Sequence, residues 1–358
     1  MNATVPPTPG LARLRPSWVA AVLIVAATYF YFLIFAEFAL LELAGNIAPG
    51  ADRLRLIMLG LGAGGVGGAM IAAWPLSALP GPALLAWSLR GCALSAALAM
   101  GASTFVTLGA AGFAVGLSLG ALTVAVAGSL RDATAGRRLG LCIGAGTGLA
   151  YALCNVPAIF HATPATQALL AALVTGAASF LPRHMSMTDA ETSPPNENSH
   201  GSVARWIVVL LALVWMDSAV FFIGQHTPDL RASTWGTTNT LLANAAIHLG
   251  IAIIAGALLD RGWRQAVVGG AVLALSAASL VLSGTMPVAL PAGWFYTAGV
   301  SLYSTVLVEF PARTGRRTIA AAVFAIAGWG GSALGIGMAQ DLARVPVGFI
   351  AITLAAVG

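Results

Sequence analysis

The chain has 358 residues, of which 58% are hydrophobic and 8% charged, with a formal net charge of +5. A soluble domain carries about 25% charged residues, so a water-exposed globule is excluded and apolar surface on this scale calls for lipid. All 17 basic residues are arginine, and they lie between hydrophobic runs, which excludes a nucleic-acid surface and reads as membrane topology.

Taken in order, residues 1–16 are Pro-rich with Arg13 and Arg15, and read as a cytoplasmic tail. No cleavable signal follows, because the first apolar run is too long for a signal segment and leads into more of its kind. Twelve apolar runs then succeed one another, most of them near the roughly 20 residues that cross a bilayer. They cover about 18–43, 54–76, 84–103, 107–128, 139–160, 165–182, 205–225, 238–259, 265–284, 289–311, 317–339 and 345 to the last residue. The second run is crowded with Gly60, Gly62, Gly64, Gly65, Gly67 and Gly68, which allow helices to approach closely. The twelfth is short for a span and leaves room for a natural chain that continues.

One long polar stretch, 183–204, interrupts the pattern at the middle of the chain and has the composition of a flexible linker. The predicted organisation is a tail (1–16), a six-helix bundle (17–182), a cytoplasmic linker (183–204) and a second six-helix bundle (205–358). With the N-terminus inside, Arg53, Arg55, Arg231 and Arg344 fall outside and the other thirteen arginines inside, as the positive-inside rule requires. The expected setting is a multi-pass monomer in the lipid bilayer of a bacterial inner membrane, N-terminus cytoplasmic.

Two landmarks recur at nearly one offset. Glu37 in the first run and Asp217 in the seventh are 180 residues apart, and Gly136-Arg137-Arg138 and Gly315-Arg316-Arg317 are 179 apart. The offset predicts a duplicated six-helix unit. In transporters such repeats place the substrate site at their interface, near mid-membrane.

A charge at mid-membrane costs at least ~2.5–3.5 kcal/mol, so each acid needs a reason. A carboxylate in an apolar helix can take and release a proton, hold a substrate cation, or only tie two helices together. Asp217, Glu37, Tyr151, Asn155, Asn244, His248 and Tyr303 are the candidate substrate and proton site; Tyr151 and Asn155, like Asn244 and His248, are four apart and share a helix face. Tyr29, Tyr31, Trp215, Tyr296 and Trp329 are further candidate cavity linings. Glu309 is expected to pair with a loop arginine, and Arg90 to snorkel to the interface. Cys92, Cys142 and Cys154 stand in apolar runs without a Cys-x-x-Cys pair, so they read as small buried hydrophobes, and no cofactor or metal centre is implied. No nucleophile motif and no phosphate-binding loop occurs, which speaks against an enzyme or an ATP-driven pump within this chain.

The turn Gly256-Ala-Leu-Leu-Asp260-Arg261-Gly262-Trp263-Arg264 resembles the loop motif of the major facilitator superfamily, G-x-x-x-D-[RK]-x-G-[RK]-[RK], with the second glycine one place early. The family carries the same motif after its second helix; here that loop, Trp74-Pro-Leu-Ser-Ala-Leu-Pro80-Gly-Pro82, lacks it. The fifth run, with Gly144, Gly146, Gly148 and Pro157, resembles the family's Gly/Pro-rich fifth helix. The resemblance implies twelve transmembrane helices in two pseudo-symmetric halves, and a secondary transporter that moves a small solute by alternating access; Glu37 and Asp217 as ionisable groups in its cavity make protons the expected coupling ion. Gly256, Asp260, Arg261 and Arg264 would then gate the inner face. On physical grounds alone, Asp260 at a helix end could accept hydrogen bonds from a neighbouring helix N-terminus and pair with an arginine.

Two other readings fit the residues. A transition-metal carrier of the same fold would use His226, His248, Asp217, Glu37 and Met216, with His161, His226 and Asp229 as an entry site. A non-transporting membrane anchor would serve a domain beyond residue 358.

Overall fold

The computed structural model describes residues 16–74, 79–134, 136, 138–185, 203–282, 289–342 and 344–357. The expected tail and most of the expected linker lie outside these residues, apart from Pro16, which opens the first helix. Each predicted span forms a helix: α1 Pro16–Ile47, α2 Ala51–Ala73, α3 Gly81–Met100, α4 Phe105–Thr134, α5 Leu139–Cys154, α6 Pro164–Ala178, α7 Val203–His226, α8 Thr238–Asp260, α9 Arg264–Leu282, α10 Ala289–Thr314, α11 Arg317–Leu342 and α12 Val347–Val357. Among the described residues, nine helices are long and apolar enough to cross a membrane. The other three are α5, α10 and α12, with 16, 26 and 11 residues. Large apolar side chains such as Leu59, Leu94, Val106 and Leu273 stand exposed, a liability in water and the normal state of a helix against lipid.

Local chemistry sets the ends. Thr237 and Thr240 form a capping box at the start of α8, and Thr163, followed by Pro164, caps α6. Left-handed Gly136 (φ 67°) follows α4 and left-handed Gly315 (φ 65°) follows α10, a conformation that glycine adopts without strain. These are the two glycines of the repeated Gly-Arg-Arg, so the sequence landmarks occupy matching turns. The fifth span departs from expectation: it ends at Cys154, and Pro157–Phe160 is a separate turn of helix. Proline drives the preceding residue out of helical geometry, and Val156 is extended at φ −69°, ψ 122°.

The packing repeats as the termini do. In the first half α2 packs on α4, α3 on α4 and α6, and α1 on α5 and α6; in the second α8 packs on α10, α9 on α10 and α12, and α7 on α11 and α12. The halves meet chiefly along α5–α8 and α2–α11, themselves a matching pair of seams. Glycine makes the tightest approaches possible. A Cβ on Gly116 or Gly120 of α4 would lie 2.0 Å from the carbonyl of Leu61 or Gly65 on α2, and one on Gly144 of α5 would lie 2.1 Å from the Ala252 carbonyl of α8.

Two helices are not regular throughout. α1 is π-helical from Tyr31 to Ala39 and α11 from Val323 to Gly330. The wider turn re-aims the side chains it carries, and such stretches concentrate at functional sites. One contains Glu37 and the other Trp329.

Candidate functional site: two carboxylates in an aromatic cavity

Asp217 sits mid-way along α7 and is buried. Its Oδ2 accepts a hydrogen bond from the Tyr303 hydroxyl of α10, and Tyr296, two turns earlier on the same helix, faces the same carboxylate. Asp217 Oδ1 is buried and accepts no hydrogen bond. Bonds to an ionised group contribute about 1.5–3 kcal/mol, so Tyr303 fixes one oxygen, while the other is packed in without a hydrogen bond.

A cavity of about 110 Å³ lies between the halves, bounded by Glu37, Asp217, Tyr29, Tyr151, Tyr303 and Trp329 among others. A smaller chamber adjoins it, sharing Glu37, Asp217, Tyr151 and Tyr303 and adding Asn155, His248 and Tyr296. Glu37 is half-buried, with no hydrogen bond or ion pair within the described residues. It borders both chambers and a third, of about 400 Å³. The third reaches the exposed pair Arg55 and Asp341, 3.9 Å apart, and through Arg55 and Gln340 joins a surface cavity beside His226. A chain of cavities thus runs from the two acids to the end of the bundle formed by the α1–α2 turn.

The polar neighbours are ordered from within. Tyr151 stacks on His248 with ring centroids 4.3 Å apart, and lies 6.0 Å from Tyr29. Ser301 donates to the Thr297 carbonyl at 2.9 Å, so its contact with His248 at 2.8 Å takes the Nδ1 proton, leaving a lone pair on Nε2. Asn155 donates to the Tyr151 carbonyl at 2.9 Å, while its own Oδ1 is buried without a partner.

Among the described residues the opposite end is closed where α5 meets α8. Asp260, the last residue of α8, accepts from the backbone N–H of Gly140 at 2.7 Å and of Leu141 at 2.9 Å. These are two of the bare donors at the start of α5, where the helix dipole also favours an anion. Gly140 and Gly256 face each other so closely that a Cβ on either would fall 2.4 or 2.3 Å from the other's carbonyl.

Several expectations need correction. Among the described residues Asp260 takes no arginine: Arg264, at the start of α9, pairs with Glu309 of α10 at 3.1 Å, and Arg313, one turn on, pairs with the same acid. The reason is geometric. The Asp260 oxygens are committed across the seam, while Glu309 is fully buried and needs compensating charge. Arg264 also lies over the rings of Trp206 and Phe310, at 5.2 and 5.9 Å, tying α7 to α9 and α10. Arg261 is exposed. Asn244 does not border the cavities; it bonds Thr234 of the short helix Pro228–Trp235 and accepts from Thr297. Tyr31 bonds Ser95 and Trp215 packs on Phe349, both away from the cavity lining. Arg90 is exposed, over the Trp87 ring at 5.0 Å. The metal set is not assembled: among the described residues no three of His, Cys, Asp and Glu come together. His226 stacks on Phe222, and Met216 lies by Ser276.

The sequence reading passed over Phe32, Thr28, Ser218 and Ser304, which border the main cavity. Only Ser218 carried a signal, as the neighbour of Asp217.

No family model matches the sequence, and no curated protein does. Solved structures do match in fold. The E. coli fucose:proton symporter FucP aligns with a TM-score of 0.66 at 13% identity, over 95% of this chain and 97% of that one. FucP in the outward conformation aligns at 0.59 and 15% identity over the same shares, and the human organic anion transporter MFSD10 at 0.58 and 15%, over 98% and 100%. Among the described residues, twelve helices in two packed halves around a cavity between them share the fold of these solved major facilitator superfamily structures.

Proposed function

We propose that the chain is a secondary transporter that moves a small solute by alternating access, coupled to protons through Asp217 and Glu37. One observation carries this reading: both acids border a single cavity between the halves, continuous with one end of the bundle and sealed from the other. An anchor has no use for two carboxylates held in such a place, given what each costs there.

The residues divide the work. Asp217, steadied by Tyr303, keeps one oxygen for a proton or solute. Glu37, on the π-helical stretch at the junction of three chambers, meets protons from the open end first. Residues 17–182 and 205–358 rock as two bodies about α5–α8 and α2–α11. With the arginine sidedness above, the open end is the outer one, so the state is outward-facing. To open inward, α5 and α8 must part at Gly140 and Gly256, which breaks both bonds to Asp260. Asp260 is thus a latch of the outward state.

The test is solute uptake by reconstituted vesicles with and without an imposed pH gradient. Gradient-driven uptake should be lost in Asp217→Asn and keep its gradient-free exchange. Uptake by Asp217→Asn that still follows the gradient would refute coupling at that residue; no gradient response in the unmodified protein would refute proton coupling altogether.

A further inference from the structure

We infer that the cavity takes a protonated amine: a compact organic cation with an N–H-bearing ammonium group on an apolar or aromatic body. This deepens the transport reading and rests on the same site.

The argument is an inventory of charge and of hydrogen-bonding capacity. Among the described residues, two carboxylates border the two central chambers and no arginine does. An anionic solute would meet uncompensated like charge, which costs several kcal/mol of discrimination against it. A neutral solute rich in hydroxyls needs donors as well as acceptors, and several hydroxyls that border the main chamber have their protons engaged. The hydroxyl protons of Thr28, Thr123 and Ser304 are spent on carbonyls of their own helices, at 2.8, 2.9 and 2.6 Å. Tyr29 spends its proton on the Ser304 carbonyl at 2.7 Å, and Tyr303 on Asp217. These groups turn lone pairs, not protons, to the space they border.

Two buried acceptors on residues of the smaller chamber are unmet. Asp217 Oδ1 and Asn155 Oδ1 are buried with no partner, although both residues are more than nine-tenths buried. Both residues border the smaller chamber, as does His248 with its Nε2 lone pair. Leaving such a group unpaired is costly, and an ammonium group supplies up to three N–H donors and one positive charge. The rings of Tyr29, Phe32, Tyr151, Tyr303 and Trp329 around the main chamber suit the rest of such a molecule, since aromatic faces attract cations and pack against apolar bodies. Charge balance follows: a monocation that settles between the acids displaces one proton from a carboxyl group to the water of the open chamber. Solute and proton then exchange on one site and move in opposite directions.

One carbon skeleton in three charge states tests this. Phenethylammonium, 2-phenylethanol and phenylacetate are added to the purified protein in detergent near neutral pH, and binding is read by thermal stabilisation and tryptophan fluorescence. The ammonium ion should bind at least about tenfold tighter than the alcohol, a difference of about 1.4 kcal/mol, and phenylacetate should not bind. Asp217→Asn should reduce the preference for the cation to within about threefold. If that variant cannot be purified, the charge series on the unmodified protein decides alone. Equal binding of the alcohol, or tighter binding of phenylacetate, overturns the inference. A separate arm follows phenethylammonium-driven proton movement in reconstituted vesicles against protein-free vesicles. Selective binding without protein-dependent proton movement would keep the site assignment and sink the transport reading. Gradient-driven uptake of a neutral or anionic solute, with no cation preference, would do the reverse.

Discussion

The two ends of the bundle use charge in opposite ways. At the shut end Asp260 is spent on two backbone amides across the α5–α8 seam, and Glu309 is fully buried between Arg264 and Arg313. At the open end Arg55 and Asp341 span the α2–α11 seam at 3.9 Å with side chains 56% and 76% exposed. A buried charge such as Glu309 loses much when its partner goes, whereas exposed groups, Asp260 as well as the Arg55–Asp341 pair, are screened and hold less. The strong contacts sit where the structure is closed and the weak one where it is open, an arrangement that holds one state without locking the molecule.

That contrast can be broken by graded substitutions. The largest effect is expected from Glu309→Gln, which leaves Arg264 and Arg313 without their carboxylate. Unfolding in detergent should register a loss of about 3–5 kcal/mol, and a loss below about 1 kcal/mol would mean that the shut end is not held by charge. Asp260→Ala comes next. Asp260 is exposed, so its two bonds together contribute about 1.4 kcal/mol, and losing them should raise the share of molecules open at that end by about tenfold. Cys142 of α5, fully buried, reports it: with Cys92 and Cys154 replaced, its labelling by a maleimide should speed up. An unchanged rate would contradict the latch.

Between the ends, Tyr303→Phe removes the proton given to Asp217 and leaves a second buried oxygen unpaired. A destabilisation of about 1–3 kcal/mol is expected in thermal unfolding at pH 7, together with altered gradient-driven uptake. Stability and uptake both unchanged would show that Asp217 does not depend on α10. The smallest effect is expected from Arg55→Ala, at about 0–1 kcal/mol and falling further with added salt. A larger loss would remove the difference between the two ends.

Much of this was legible in advance, for reasons that differ by residue. Asp217 and Glu37 announce themselves because an acid in an apolar run is costly wherever the helix goes. Tyr303 could be named as a candidate, but not as the partner of Asp217, since 86 residues separate them and no local pattern links them. Asp260 was readable as a helix-end acceptor; that it would satisfy α5, and that Arg264 would turn to Glu309, was not. Asn244 shared a helix face with His248, yet only His248 reaches a cavity, because the short helix Pro228–Trp235 claims the Asn244 side chain.

The sequence by itself determined the twelve spans, the two-half plan and the presence of two costly acids. Hydropathy, proline, glycine and charge act over one helical turn or one bilayer thickness, so they are written locally. Only the tertiary structure decided which acid is steadied and which is left facing the chambers, where the π-helical stretches fall, and which end is open. Those depend on distances between residues far apart in the chain, set by how glycine-lined seams allow whole helices to approach.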